Sequence, residues 1–384
     1  MNKLNSTPSQ LPRRDIFLLP AISILTIVVM LLGSEGLCRV IWPEQVDDPC
    51  LVPDSHFHVR FRPNCKSRTK PAEGPWSDNS YNECGYRTLE SCGPKPAGTI
   101  RVAVIGASFS FGYGSPYSDI YTTLTANALA RQCGRKVEFQ NLGIANGSLS
   151  DIYRRLDEAL ALKPDLLLLV AGEGEVTKEI DDKDFAGEDV QPTLQRSAVQ
   201  VNAPPVSSTE SLRHQIFVLM KQSRVALMLQ HFMYQDPDTY SKLYLAYGDK
   251  ADFLRPPFSQ RWRQRFSNFD RVLTKMDERA QAASVPMALM ISPTQAQLAL
   301  ANSHPWPGVD LRAFPNEVSD IAAQHKIYAI DLLPAFTKRS DFRSLIYTAD
   351  GHPAPQGQHV IAQVLDDKLL SSGIDAFSGC RQLQ

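Results

Sequence analysis

The sequence predicts an α/β domain with a central parallel sheet, preceded by one N-terminal transmembrane helix. Two patterns indicate this architecture: an uncharged apolar stretch at residues 16–33 and, from about residue 100, five short apolar runs that alternate with helical stretches. The composition is that of a folded chain, because 43% of the 384 residues are hydrophobic and 21% are charged. Such a chain can bury a large core, which excludes wholesale disorder.

The apolar stretch at 16–33 has the length of a membrane span. At about 1.5 Å per helical residue it covers about 27 Å, close to the hydrocarbon thickness of a bilayer. Lys3, Arg13 and Arg14 precede it, and this basic excess places residues 1–15 in the cytoplasm. We therefore expect a single-pass signal anchor in a lipid bilayer, with the main domain exported. A cleaved signal peptide and a buried helix are the alternatives, although no Ala-x-Ala-like cleavage site follows.

The charge balance argues against one class of partner. The chain has 40 Lys and Arg against 41 Asp and Glu, a formal net charge of −1. A nucleic-acid-binding protein needs a basic surface that neutralises phosphates. Nucleic acid is therefore not an expected partner.

The cysteines favour an exported domain. Cys38 lies at the membrane edge, and six further cysteines follow it, at positions 50, 65, 84, 92, 133 and 380. An even number in an oxidising compartment predicts up to three disulfides, with fifteen possible pairings. Cys84 and Cys92 are close enough in sequence to clip the loop before the first predicted strand. A metal site is not indicated, because there is no Cys-x-x-Cys and the eight histidines are scattered.

The exported part divides by pattern into an arm and a domain. Residues 34–98 are rich in Pro, Asn, Cys and Gly and predict a disulfide-containing juxtamembrane arm. The main domain is expected at 99–375, with a C-terminal tail at 376–384. Its predicted strands are 101–106, 137–142, 165–171, 285–292 and 327–331, and its predicted helices are 118–132, 149–162, 259–283, 311–325 and 356–370. Short apolar strands that alternate with helices are typical of a parallel sheet covered on both faces.

One long insertion, at about 181–258, interrupts this alternation. It begins with a polar, acidic stretch and continues into an apolar helical stretch near 215–233. A surface insertion and a lid over a substrate cleft are both compatible with its composition.

A serine lies where the first predicted strand meets the following helix. The turn reads Gly106-Ala107-Ser108-Phe109-Ser110-Phe111-Gly112. A Ser at such a turn can project its hydroxyl above the sheet, with backbone N–H groups free to meet an oxyanion. The turn is not a Gly-x-Ser-x-Gly elbow, because Ser110 replaces the second Gly.

A candidate base lies near the other end of the chain. Asp350-Gly351-His352-Pro353 precedes the last predicted helix. A Ser hydroxyl becomes a good nucleophile when a His takes its proton and a carboxylate orients that His. Asp350, two residues before His352, could provide this carboxylate; Asp331 at a strand end is an alternative, although a capping role suits it better.

These blocks together resemble the SGNH (GDSL-like) hydrolase family in its membrane-anchored bacterial type. The turn at Ser108 is similar to the first block of the family, and residues 141–147 (Asn-Leu-Gly-Ile-Ala-Asn-Gly) are similar to the second. The third block is similar to residues 172–175 (Gly-Glu-Gly-Glu), and the last is similar to the stretch that contains Asp350, His352 and Gly357. The resemblance covers about residues 80–373. It implies a flavodoxin-like three-layer sandwich. Together with the predicted anchor it also implies a place in the bacterial inner (cytoplasmic) membrane, with the main domain periplasmic or extracellular.

The resemblance also implies roles for individual residues. Ser108 would be the nucleophile, His352 the base and Asp350 the residue that orients it. The oxyanion hole would comprise the Ser108 N–H, an N–H at Gly147 or the side chain of Asn146, and a donor at the third block. Gly174 occupies that third position, where the family usually has Asn, so the side-chain donor is missing. Ala107 and Ala354 also replace the usual Asp and Asn.

The expected function is that of a serine esterase. It would remove a small acyl group such as acetyl from an envelope or exported carbohydrate, or from another ester, without a metal or organic cofactor. A closely related reaction is transfer of the acyl group to a sugar, which would require a membrane partner that supplies the acyl donor. The alternative is a catalytically weakened domain that binds polysaccharide or assembles an envelope complex, which the replacements at Ala107, Gly174 and Ala354 favour.

Overall fold

The computed structural model describes residues 13–145, 147–177, 223–339 and 341–380. The chain divides into two compact units. The first contains residues 1–44 and 201–230, and the second contains residues 45–200 and 231–384. Of the predicted insertion, residues 181–222 lie outside the described residues, as do residues 1–12 and 381–384 of the two termini.

The first unit contains a long apolar helix, α1 (Arg13–Ile41). Its segment Phe17–Ile41 is long and apolar enough to cross a membrane, and its most apolar window is not buried by protein. An anchor and a signal sequence share these properties. The helix continues beyond the predicted 16–33 because Glu35 forms an ion pair with Arg39 at 2.9 Å, one turn apart. The Glu35 carboxylate also accepts hydrogen bonds from the amides of Arg224 and Val225, at 3.0 and 3.1 Å.

The described residues of the second unit form nine strands and most of the helices. The strands are β1 (Leu51–Asp54), β2 (His58–Phe61), β3 (Lys66–Thr69), β4 (Ser77–Ser80), β5 (Ile100–Ile105), β6 (Val137–Asn141), β7 (Leu166–Ala171), β8 (Met287–Ile291) and β9 (Tyr328–Asp331). The described helices after α1 are α2 (Ser108–Phe111), α3 (Tyr121–Cys133), α4 (Leu149–Arg154), α5 (Leu156–Ala161), α6 (Glu173–Thr177), α7 (Arg224–Tyr234), α8 (Pro237–Leu245), α9 (Gln260–Ala282), α10 (Gln295–Ala301), α11 (Ala313–Gln324), α12 (Leu333–Thr337), α13 (Phe342–Leu345) and α14 (Pro355–Leu370).

The central sheet is parallel, with the strand order β6-β5-β7-β8-β9. This is the flavodoxin-like order, in which the first strand of the sheet lies between the second and the third. Both faces are covered: along β7, Leu167 and Leu169 pack into one apolar cluster with α4, α9 and α11, whereas Leu166 and Leu168 pack into another with α3 and α14. The predicted α/β fold with a helix-covered parallel sheet is therefore confirmed.

All five predicted strands are present, and the predicted helices differ mainly at their ends. The helix predicted at 149–162 is divided at Arg155 into α4 and α5. Arg155 is buried, and its guanidinium donates to the carbonyl oxygen of Val59 at 2.8 Å. The helix predicted at 118–132 begins later, as α3, after a short 3₁₀ turn (Tyr117–Asp119).

The segment before the sheet forms two β-hairpins, which the sequence does not predict. β1 pairs with β2 and β3 with β4, both antiparallel. These strands have four residues each, and β3 and β4 are polar throughout, so they lack the apolar alternation that indicates a strand. We call residues 45–98 the hairpin segment.

Three disulfides join all six cysteines that follow Cys38. Two lie in the hairpin segment, Cys50–Cys65 and Cys84–Cys92, and the third joins Cys133 at the end of α3 to Cys380. The predicted number of disulfides and the clip at Cys84–Cys92 are confirmed. Cys38 is the free cysteine among the described residues.

Candidate functional site

Ser108 lies at the carboxyl end of β5, where the chain turns into α2. β5 is flanked by β6 and β7, so this position is the topological switch point of the sheet, where open α/β folds bind ligands. The turn is tight enough to require glycine at 106, since a Cβ there would lie 2.7 Å from Ser110 and 2.8 Å from the carbonyl oxygen of Val170. The Ser108 N–H is the first amide of α2, and the first amides of an α-helix have no partner within it.

His352 and Asp350 lie on a closed loop between α13 and α14. The loop is held by an isolated bridge between Ile346 and Pro353 and by a hydrogen bond of 2.9 Å from the Tyr347 amide to the His352 carbonyl oxygen. Gly351 has φ +84°, a conformation that residues with a side chain rarely adopt. This turn places the side chains on either side of Gly351 next to each other.

The three predicted residues form one chain of hydrogen bonds. Nε2 of His352 lies 2.7 Å from Oγ of Ser108, and Nδ1 of His352 lies 2.5 Å from Oδ1 of Asp350. The side chains of His352 and Asp350 are 26% and 19% exposed, so the chain of hydrogen bonds lies at the surface of a cleft that a substrate can reach. The arrangement can move a proton from the serine hydroxyl to an imidazole whose other nitrogen faces a carboxylate.

A buried arginine from the hairpin segment holds the turn that carries Ser108. The guanidinium of Arg87 donates to the carbonyl oxygens of Phe111, Gly112 and Ser115 at 2.7, 2.9 and 2.6 Å. Burial lowers the pKa of Arg87 to about 10, which leaves it charged at neutral pH. These contacts fix the C-terminal end of α2 and thereby the backbone of the turn that carries Ser108.

A buried glutamate from the same segment holds the loop that carries the other two residues. Glu73 is 2% exposed, and its Oε2 accepts hydrogen bonds from the amides of Ala349 and Asp350 at 2.6 and 3.0 Å. Its Oε1 pairs with Nδ1 of His231. Neither Glu73 nor the contacts of Arg87 can be predicted from the sequence, because residues in a segment without periodicity give no local signal of what they touch.

The hydrogen-bonded residues open into a cavity of about 410 Å³. Its walls come from the Ser108 turn, from the Asp350–His352 loop and, to a large extent, from the hairpin segment, which contributes Asp47, Asp48, Thr69 and Asn79 among others. Tyr113 closes one side, with its ring centroid 4.9 Å from that of His352. Burial, and then the nearby Asp350 carboxylate, raise the pKa of Tyr113 to about 12, so its hydroxyl stays protonated.

Of the three residues predicted to join Ser108 in an oxyanion hole, Gly147 and Gly174 lie within the described residues. Gly147 lies next to the serine turn, since a Cβ built on it would be 3.7 Å from Cβ of Ala107. Gly174 is exposed at the start of α6, and a Cβ built there would meet nothing within 4 Å. It offers no side-chain donor. Asn146, the other predicted donor, lies outside the described residues.

The two glutamates that flank Gly174 accept hydrogen bonds from residues in α6 or directly before it. Oε2 of Glu175 accepts from the Gly172 amide at 2.8 Å, and Oε1 of Glu173 accepts from the Thr177 hydroxyl at 2.8 Å. Burial raises the pKa of Glu173, an effect that the Thr177 hydrogen bond offsets only in part. Gly174 therefore has acidic neighbours and open space beside it.

Asp331, the alternative to Asp350, has other partners. Its side chain accepts a hydrogen bond from the Leu333 amide at 2.9 Å and pairs with Arg312, as expected of a capping residue. Among the described residues, no group of three or more His, Cys, Asp or Glu side chains could hold a metal ion.

Several solved structures have a similar fold at low identity. They include a lipase/acylhydrolase from Enterococcus faecalis (12% identity, 71% of this chain and 96% of that chain, TM-score 0.40), a psychrotrophic esterase from Pseudoalteromonas sp. (14%, 71% and 97%, TM-score 0.37) and an acetylxylan esterase from Geobacillus stearothermophilus (13%, 74% and 97%, TM-score 0.40). No curated protein matches the sequence.

The sequence profile of one family spans most of the folded domain. The GDSL-like Lipase/Acylhydrolase family matches residues 104–360, a stretch that contains Ser108, Gly147, Gly174, Asp350 and His352. The matched stretch is more than half of the chain. The protein therefore belongs to the GDSL-like lipase/acylhydrolase family.

Proposed function

We propose that the protein is a membrane-anchored, exported serine esterase that removes a small acyl group, such as acetyl, from an envelope or exported carbohydrate. The observation that carries the proposal is the hydrogen-bonded chain Ser108–His352–Asp350 at the mouth of a cavity, at the switch point of the sheet. A hydroxyl 2.7 Å from an imidazole nitrogen is placed for proton transfer.

The proposed reaction has two halves. Oγ of Ser108 attacks the ester carbonyl as Nε2 of His352 takes its proton, and the Asp350 carboxylate stabilises the imidazolium that forms. The imidazolium then protonates the leaving alkoxide, which departs and leaves an acyl-serine. Water then attacks the acyl-serine as His352 takes its proton. The bond between the acyl carbon and Oγ of Ser108 breaks, Oγ takes the proton back from the imidazolium, and the carboxylic acid is released. The amides of Ser108 and Gly147 would receive the negative charge of the tetrahedral intermediates, with Asn146 as a further donor.

The size and chemistry of the cavity support a small acyl group on a sugar. A volume of about 410 Å³ lies near the lower end of small-molecule sites. Carboxylate and amide side chains such as Asp47 and Asn79 can bind hydroxyl groups, while Tyr113 offers an apolar face to a ring. The three disulfides and the apolar helix α1 support an anchored, exported domain.

The domain boundaries follow the same proposal. Residues 16–33 would form the membrane-spanning part of α1, residues 34–98 the juxtamembrane arm and residues 99–375 the hydrolase domain. The arm would contribute walls of the substrate cavity through residues 45–79. Transfer of the acyl group from a membrane partner to a sugar would use the same acyl-serine, with a sugar hydroxyl in place of water.

The test uses the full chain in detergent, with 4-nitrophenyl acetate and acetylated polysaccharide as substrates. We expect release of acetate from both, and a loss of at least about 10³-fold in kcat/KM for Ser108→Ala. Addition of a free sugar as acceptor separates the two reactions, because transfer yields an acetylated sugar at the expense of free acetate. Equal activity in the wild type and Ser108→Ala would contradict the proposal and favour a polysaccharide-binding or envelope-assembly domain.

A further inference from the structure

The carboxylate of Glu73 is an unusual feature of the site, because it comes from outside the part of the chain that matches the family. It lies in the hairpin segment, whereas the family match begins at residue 104. It contacts the Asp350–His352 loop across a sequence separation of 276 residues. The short segment around it is fixed independently, since the buried Lys70 ammonium donates to the carbonyl oxygen of Gly74 at 2.7 Å.

Glu73 binds the loop at the point that determines where the two side chains lie. Its Oε2 accepts hydrogen bonds from the backbone amides of Ala349 and Asp350. In the chain, these two amides directly precede the Asp350 side chain and Gly351. A carboxylate that accepts two backbone N–H groups forms short, charge-assisted hydrogen bonds. The loop also has a polar contact on its other side, where the side-chain amide of Gln295 donates to the Thr348 carbonyl oxygen.

The second oxygen of Glu73 is also satisfied. Oε1 pairs with Nδ1 of His231, and Nε2 of that ring lies 2.6 Å from Nε2 of Gln235. A buried carboxylate is costly unless hydrogen bonds replace its hydration. Here two backbone amides and one imidazole replace it, so Glu73 can remain in its buried position.

We infer that Glu73 is a positioning residue that fixes Asp350 and His352 opposite Ser108 through the amides of residues 349 and 350. The inference rests on the proposed function, in which those three residues carry the reaction. The hairpin segment then orients Asp350 and His352 through Glu73, in addition to forming walls of the cavity.

Two variants separate the hydrogen bonds of Glu73 from its charge. Glu73→Ala removes the acceptor, and we expect kcat to fall about 10- to 100-fold with KM changed less than about threefold, since a misplacement of about 1 Å in a catalytic group has an effect of this size. Glu73→Gln keeps a carbonyl oxygen that can accept both amides, and we expect it to retain kcat within about threefold of the wild type.

A buried glutamate remote from the site provides the matched control. Glu138 is 2% exposed, like Glu73. It pairs with Arg101 near the amino ends of β6 and β5, whereas Ser108 follows the carboxyl end of β5. Glu138→Gln should lower the melting temperature and leave kcat per active site unchanged. Active sites are counted with a phosphonate ester that labels Ser108, so that a loss of folded protein does not count as a loss of turnover.

The pH profile distinguishes positioning from a purely structural role. Without Glu73, Asp350 is no longer held against His352, and the protonated imidazole loses part of its stabilisation. We therefore expect the acidic limb of the kcat/KM profile to move to lower pH in Glu73→Ala and to stay in place in Glu73→Gln and Glu138→Gln. Hydrogen–deuterium exchange of the full chain should show faster exchange at residues 349 and 350 in Glu73→Ala.

The outcomes for the two proposals are distinct. A Glu73→Ala protein with the wild-type kcat per active site and the wild-type pH profile would overturn the positioning role, even if Ser108→Ala is inactive. A Ser108→Ala protein as active as the wild type would overturn the proposed function itself, whereas the exchange experiment would still report whether Glu73 holds the loop.

Discussion

The residues predicted to activate Ser108 and those predicted to stabilise an oxyanion are supported to different degrees. Around His352 the side chains form a connected network: the imidazole contacts Ser108 and Asp350, and the loop that carries them is held by Glu73. At Gly174, by contrast, there is no side chain, and a Cβ built there would have no neighbour within 4 Å. The two glutamates around it accept hydrogen bonds from Gly172 and Thr177.

This difference indicates which part of the proposed reaction is well supported. Activation of a serine hydroxyl needs only the chain Ser108–His352–Asp350. Stabilisation of an oxyanion needs donors aimed at the developing charge, and each missing donor typically lowers the rate by about 10²–10³-fold. We therefore expect a site that forms an acyl-serine readily with reactive esters and slowly with unreactive ones.

The largest expected effect tests the network around His352. Asp350→Asn should lower kcat by about 10²–10⁴-fold, because an amide at this position no longer stabilises the imidazolium and can favour the wrong tautomer of His352. Steady-state hydrolysis of 4-nitrophenyl acetate measures the effect. The control is Asp78→Asn, an exposed residue of β4 outside the cavity; a kcat for Asp350→Asn within threefold of that control would show that the carboxylate is not used.

A gain of activity tests the position of Gly174. Gly174→Asn introduces the amide that the family pattern has at this position, in a space where a Cβ meets nothing within 4 Å. We expect kcat to rise about 10- to 100-fold on an unreactive alkyl acetate, less than the full value of one donor because the new side chain is not held by neighbours. Gly174→Ala is the control, since it adds bulk without a donor.

The same variant shows whether Asn146 already serves as a substitute. Asn146→Ala should lower turnover about tenfold or more in the wild type and by less in the Gly174→Asn background, because two donors to one oxyanion are not independent. An unchanged rate for Asn146→Ala would remove Asn146 from the oxyanion hole. A Gly174→Asn protein no faster than Gly174→Ala would show that a side-chain donor at position 174 is not used.

The smallest expected effect concerns the acidic environment of Gly174. Burial raises the pKa of Glu173 in the folded protein, so the folded state binds its proton more tightly than the unfolded chain does. The resulting stabilisation is present below the unfolded pKa and is lost as the pH rises through the folded pKa. Glu173→Gln should therefore melt a few degrees higher than the wild type at neutral pH, about 1–4 °C.

Thermal melts as a function of pH check the sign of this effect. The difference between Glu173→Gln and the wild type should shrink as the pH falls and vanish below about pH 4, where the carboxyl is protonated in both states. The exposed Glu278 on α9 provides the control, since Glu278→Gln should not change the melting temperature at any pH. A difference that grows toward low pH would contradict the direction of the Glu173 shift.

The sequence by itself determined the sheet and the residues at its carboxyl edge. Buried parallel strands are continuous apolar runs, so the strands at 101–106 and 165–171 can be recognised from their own residues alone. Ser108 and His352 belong to short motifs, which are likewise visible in a few consecutive residues. The even number of cysteines similarly indicated three disulfides, although not which cysteines pair.

Only the tertiary structure decided what supports the site. The pairing of Cys133 with Cys380, the contacts of Arg87 with the serine turn and those of Glu73 with the Asp350–His352 loop all join residues far apart in the chain. The hairpins that carry Glu73 and precede Arg87 have short polar strands, so no periodicity marks them. A local pattern records which face of an element is buried, whereas the partner of a single buried charge depends on how distant segments pack.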